Sequence, residues 1–133
     1  MKVEARPIAF IGPDSQTGRA AALAAAKQDR FFNFSQLLYF NQGVENTGWL
    51  NDSIIKAAAA SIPGLDVPRM LSDRSSATVS AQAKAFDSQS DQDNVSETPT
   101  VLVGKSGGPL RKVSFPSLSD TAAISAAIEA AQR

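Results

Sequence analysis

Three short constellations in this sequence carry residue types at spacings that chemistry uses. Gly104-Lys105-Ser106 follows a β-branched run, the order in which a phosphate-cradling loop presents a lysine and a hydroxyl. That loop needs another glycine five positions earlier and a helix directly after. Pro99 and Gly107-Gly108-Pro109 stand there instead, so the segment reads as a hairpin turn and not as a nucleotide site. Asp91 and Asp93 could pair as carboxylates for acid–base work or a cation. They lie in the polar run Ser88-Gln89-Ser90-Asp91-Gln92-Asp93-Asn94, with no hydrophobic wall to shift a pKa, and read as a solvated connection. Thr98-Pro99-Thr100 is the most informative of the three. A proline at the head of a strand cannot donate to the ladder, so it marks a strand start or an edge. A trans bond is the default there by base rate, and a cis bond would instead present the backbone of Thr98 to an extended peptide.

The sequence also excludes much chemistry. There is no cysteine and no histidine, hence no disulfide, no thiolate nucleophile, no Cys/His zinc site and no Ser-His-Asp triad in this chain. No cofactor is expected. Thirteen basic and 13 acidic residues cancel, so no general attraction to nucleic acid or an anionic membrane arises. No stretch approaches the roughly 20 apolar residues of a membrane span. Met1 to Pro7 lacks an apolar signal core. The triplets at Asn33, Asn51 and Asn94 match the glycosylation sequon, a pattern common by chance.

The elements that must position these residues follow from periodicity. Length fits one domain over 1–133. Lys2 to Ile11 alternates weakly and predicts a short strand. Gly12-Pro13 is a turn, and Asp14 or Ser15 caps an alanine-rich helix running to Gln28. Phe31, Phe34, Leu37 and Leu38 mark a second helix, and Phe32, Tyr39 and Phe40 widen its apolar face enough to predict burial on more than one side. That aromatic stripe could line a ligand pocket, but core packing is the commoner use. Leu50, Ile54, Ala58 and Ile62 mark a third helix that Pro63-Gly64 ends, and Asp66 with Pro68 opens a fourth. Val79, Ala83 and Phe86 stripe a fifth. Thr100 to Val103 and Leu110 to Phe115 predict a β-hairpin, and Ser119-Asp120 caps a last helix with Ile124, Ile128 and Ala131 inward.

Taken in order, these residues resemble the DsbA-like thioredoxin family, bacterial thiol-disulfide oxidoreductases with a helical domain inserted in a thioredoxin fold. Three segments carry the resemblance: Gly12-Pro13-Asp14-Ser15 with the helix after it, continuing through Ala26 to Phe32 and Leu38; Ile62-Pro63-Gly64-Leu65-Asp66; and Val95-Ser96-Glu97-Thr98-Pro99-Thr100 with Val103-Gly104-Lys105. The resemblance implies an α/β, thioredoxin-like fold with the insertion over about residues 14–92 and a hairpin and helix over about 98–132. It implies that Pro99 is the family's cis-proline and that Thr98 contacts an extended peptide or unfolded protein substrate. Glu97 stands where the family often has glycine, which places a carboxylate at the groove.

The family's Cys-x-x-Cys lies on a strand–helix unit ahead of Lys2–Ile11, and this chain lacks it. Thiol exchange requires a thiolate, so the resemblance implies a portion of such an enzyme that is inactive in redox chemistry as it stands. A Cys-x-x-Cys encoded upstream of Met1 and an extracytoplasmic parent protein are the corresponding expectations. Without that unit the sheet would have unpaired edges, which predicts a homodimer or a strand-exchanged assembly. Two other readings stay open: a degenerate thioredoxin-like module that binds peptides or a partner protein, and a structural or assembly domain.

Overall fold

The computed structural model describes residues 1–117 and 119–133. In chain order the elements are α1 (Pro13–Ala26), α2 (Phe31–Phe40), α3 (Asp52–Ala60), α4 (Val67–Asp73), α5 (Ala77–Gln92), β1 (Leu102–Val103), β2 (Arg111–Lys112) and α6 (Thr121–Gln132). They fall into two compact units, one of Ala5–Ser90 and one of Met1–Glu4 with Asp91–Arg133.

The Ala5–Ser90 unit is built around α1. Its N-cap is Gly12, not Asp14 or Ser15, and no side chain caps it. Pro13 at the first position brings a preset φ, and Asp14 in the first turn complements the positive end of the helix. Asp14 is held elsewhere, accepting from the Gly48 amide at 3.2 Å. Residues Ala21, Ala22, Leu23, Ala24 and Ala25 are all buried. At 100° per residue those five cover a full turn, so this half of α1 is enclosed on every side. Alanine permits that enclosure because it adds little radius, and α2 and α4 both pack against α1. Gly18 serves the same end: a Cβ there would lie 2.8 Å from Leu50 Cδ2.

α2 presents Phe34, fully buried, to this core, with Phe31, Leu37 and Leu38 half-buried beside it. The expected burial of Phe32, Tyr39 and Phe40 is not realised. They are 59%, 77% and 77% exposed, because α1 and α3 cover one side of the helix and nothing within the unit covers the other. α3 starts after Asn51, whose side chain accepts from the amides of Ser53 and Ile54 at 3.0 and 3.2 Å. That cap starts the helix after Leu50, and the C-cap at Ser61 ends it before Ile62, although both Leu50 and Ile62 are buried in the core beside Ile55 and Ala59. It also accounts for one of the three sequons as helix chemistry.

Gly64, at φ 77°, turns the chain into α4, which Asp66 caps by accepting from the Arg69 amide at 3.0 Å. Gln28 clamps this cap to the end of α1. Its amide nitrogen donates to the Asp66 carbonyl at 3.1 Å, and its amide oxygen accepts from the Asp66 amide at 2.9 Å. Met70 and Val79 complete the core from α4 and α5. Ion pairs lace the rim: Arg19 with Asp87, Lys27 with Asp73 at 2.6 Å, and Arg74 with both oxygens of Asp52 at 2.7 and 3.0 Å. The hydrogen bonds from Arg74 hold the Asp52 carboxyl below its ordinary range, and Asp52 raises Arg74 in return. α5 continues through Gln92, so the predicted connection 88–94 is mostly helical. The Ser and Gln residues there tolerate a helix whose one face stays in water, and the turn comes only at Asn94, φ 52°.

The strand predicted over Lys2–Ile11 is absent. A strand exists only as part of a ladder, and the sheet among the described residues contains β1 and β2 alone. In the second unit those two strands pair antiparallel, Leu102 opposite Lys112 and Val103 opposite Arg111. The paired lengths are two residues each, shorter than the predicted 100–103 and 110–115 runs. α6 packs against β1. Asp120 caps it, accepting from the Ala123 amide at 3.2 Å, and Ile124, Ile128 and Ala131 lie half-buried along one face as their spacing predicts.

Candidate functional site

The residues singled out by sequence converge on one turn that leads into β1. Glu97, Thr98 and Pro99 are consecutive and all exposed. The Thr98–Pro99 peptide bond is cis, where an isolated X–Pro bond is trans by default. The Thr100 hydroxyl donates to the Glu97 carbonyl at 2.6 Å and closes the turn. The main-chain N–H and C=O of Thr98 make no hydrogen bond to any other described residue. An exposed, unpaired amide and carbonyl side by side are what an incoming extended backbone pairs with. β1, two residues beyond Thr100, has β2 on one edge and no other strand among the described residues on the second.

The hairpin sets the position of this turn. Lys105 to Gly108 form its tip, with the Gly108 amide donating to the Lys105 carbonyl at 2.9 Å and Gly107 at φ 77°. That pattern is a type II turn, whose third residue needs the left-handed region that glycine reaches without strain. The phosphate-loop alternative at Gly104-Lys105-Ser106 thus lacks the helix it requires. Gly104 meets the Pro109 carbonyl so closely that a side chain there would overlap the backbone. The Val113 amide donates to the Val101 carbonyl at 2.9 Å and extends the pairing toward Thr100.

The Glu97 carboxylate is drawn toward β2, 3.4 Å from Lys112 Nζ. The pair is exposed, so its strength is modest, but it turns the carboxylate's charge into a neutral couple at the edge of the turn. Lys112 was not legible as part of this site, because it lies 15 residues from Glu97 in sequence and faces it only once the hairpin register is fixed. Asp91 lies in the last turn of α5 and Asp93 follows its end at Gln92, both exposed. Among the described residues no cluster of His, Cys, Asp or Glu could hold a metal ion, and no helix is long and apolar enough to cross a membrane.

No protein-family model and no curated protein sequence matches this chain. Among solved structures it is similar to a thioredoxin-like oxidoreductase from Silicibacter pomeroyi DSS-3, with a TM-score of 0.73 and 21% sequence identity. The likeness covers 96% of this chain, which spans 66% of the length of that one. A likeness of that extent at that identity establishes the architecture: the chain has a thioredoxin-like fold, mostly helical, with a two-stranded sheet.

Proposed function

We propose that this chain is the cysteine-less portion of a DsbA-like thiol-disulfide oxidoreductase, in which α1–α5 form the inserted helical domain and the Thr98–Pro99 turn docks substrate. The observation that carries this reading is the structural likeness, over 96% of the chain, to a protein described as a thioredoxin-like oxidoreductase. Disulfide exchange proceeds by attack of a thiolate on a disulfide sulfur. With no cysteine, this chain contributes to that reaction by binding and not by electron transfer. Thr98 offers the amide and carbonyl that pair with an extended polypeptide, Pro99 fixes their direction, and Glu97, tied to Lys112, borders the groove. An extracytoplasmic location of the longer protein belongs to the same reading.

Two measurements test it. The reading frame immediately upstream of the Met1 codon is expected to encode a Cys-x-x-Cys; a stop codon or a cysteine-free frame there ends the enzyme reading. Titration of the isotopically labelled chain with an unfolded, cysteine-free peptide is expected to shift the amide resonances of residues 96–103 and to leave those of α1 unchanged. Pro99→Ala is expected to abolish those shifts. Shifts spread over the molecule, or none at millimolar peptide, refute docking at this turn.

A second reading is favoured by the combination of no cysteine with a charged residue at position 97: a degenerate thioredoxin-like module that binds peptide or protein without redox chemistry. It shares the docking result and predicts no upstream cysteine pair.

A further inference from the structure

Glu97, the residue before the docking turn, is held at two points. The Thr100 hydroxyl donates to its carbonyl at 2.6 Å, and Lys112 Nζ stands 3.4 Å from its Oε1. Both side chains keep access to water, 72% exposed for Glu97 and 45% for Lys112. A bare carboxylate beside Thr98 would draw basic peptides and repel acidic ones, because the attraction or repulsion falls only slowly over the few ångströms that separate adjacent strands. An ammonium next to that carboxylate cancels its field at the distance of a bound backbone.

Of the three bases between Asp91 and Ser117, Lys105, Arg111 and Lys112, only Lys112 is within reach of Glu97. Cross-strand partners share a face of the hairpin and successive residues alternate, so Lys112 lies on the face of Leu102 and Arg111, opposite Val103, on the other. Lys105 begins the hairpin tip, five residues past Thr100. Along an extended strand that is about 16 Å, more than the Debye length of about 10 Å at 0.1 M salt. The same segment holds three acids, Asp91, Asp93 and Glu97, so its charges sum to zero. We propose, on the reading that Thr98 docks an extended polypeptide, that Lys112 sets the breadth of substrates: it neutralises Glu97, so the turn recognises backbone and takes unfolded segments of either charge. Lys112 is thereby a specificity-determining residue that acts through Glu97.

The test is a charge cycle read by amide resonances of residues 96–103 at about 0.1 M salt. The probes are unfolded, cysteine-free peptides identical except for Lys, Gln or Glu at their central positions. The wild-type chain is expected to bind all three within about 1.5-fold of one another. Lys112→Met, which keeps the length of the side chain without its charge, is expected to prefer the Lys peptide over the Glu peptide by about threefold, the scale of exposed charge pairs. Glu97→Gln leaves the ammonium bare and is expected to prefer the Glu peptide by a similar factor. The double variant is expected to return to indifference. Opposite preferences in the two single variants cannot arise from a loss of packing, which weakens every peptide alike. A wild-type chain that discriminates threefold or more, or single variants as indifferent as wild type, overturns the role of Lys112 and leaves docking standing. If no peptide shifts residues 96–103, docking itself falls and this inference with it.

Discussion

Two phenylalanines on α2, two residues apart, should respond to the same substitution in opposite ways. Phe34 is fully buried among the core residues, whereas Phe32 is 59% exposed and makes an edge-to-face contact with Phe31 at 5.4 Å between ring centres. Truncating a buried phenylalanine to alanine costs about 3–5 kcal/mol, from lost transfer energy and the cavity left behind. Truncating Phe32 forfeits part of one aromatic pair and little burial, about 0.5–1 kcal/mol. Urea unfolding is the natural assay, followed by the fluorescence of Trp49, the only tryptophan. Its ring lies against Gly43, 2.8 Å from where a Cβ would stand, so it reports on this unit's packing. With a slope of about 2 kcal/mol per molar urea, Phe34→Ala should lower the midpoint by roughly 2 M and Phe32→Ala by less than 0.5 M. The comparison belongs at protein concentrations low enough that association contributes nothing. Equal midpoint shifts at that dilution would mean that the outer face of α2 is covered within the chain, and the division of this helix into a core face and a free face would be refuted.

Three further outcomes follow from single contacts. Gly104→Ala places a methyl group against the Pro109 carbonyl, a backbone atom that cannot swing away. The hairpin amides of Val103 and Val113 should lose hydrogen-exchange protection by at least tenfold while α1 amides keep theirs. Gln28→Ala removes both hydrogen bonds to the Asp66 main chain and should cost about 1 kcal/mol, read by thermal denaturation; Asp66→Ala removes the α4 cap at a similar cost. The pH dependence has a definite sign. Arg74 lowers the folded-state pKa of Asp52, so this pair supports the fold above the ordinary aspartate pKa and loses its effect as pH falls below about 4. Asp52→Asn should therefore differ from wild type in melting temperature at pH 7 and converge with it near pH 2; an undiminished difference at pH 2 would assign the effect to something other than this charge pair.

Much of this fold is readable from local signals. The order of six helices and a hairpin follows from periodicity and from punctuation at Pro63-Gly64, Asp66 and Asp120, because capping and turn chemistry act over three or four residues. Lys2–Ile11 shows the limit of such signals. Its alternation is compatible with a strand, but pairing depends on a neighbour that no local pattern specifies. The second face of α2 is hidden from the sequence for a related reason: hydrophobicity announces that a surface gains by being covered, not that the same chain covers it. At the candidate site, Thr98, Pro99 and Glu97 were found together because they are consecutive. Lys112 is not legible in the sequence because only the hairpin register brings it to Glu97.

The enclosure of α1 bears on how this sequence can change. Between Ala21 and Ala25 no direction around the helix axis faces solvent, and at the four alanines the space is sized for methyl groups. A larger side chain at any of these positions strikes a neighbouring helix, and a polar one is stranded without water. In a saturation library selected for folding, these four positions should tolerate little beyond alanine and glycine, while Phe32, Tyr39 and Phe40 accept a wide range of residues. The helix that looks least distinctive in composition would then be the slowest to drift. Its alanines record the distance between helices, a quantity set by geometry and not by affinity for water.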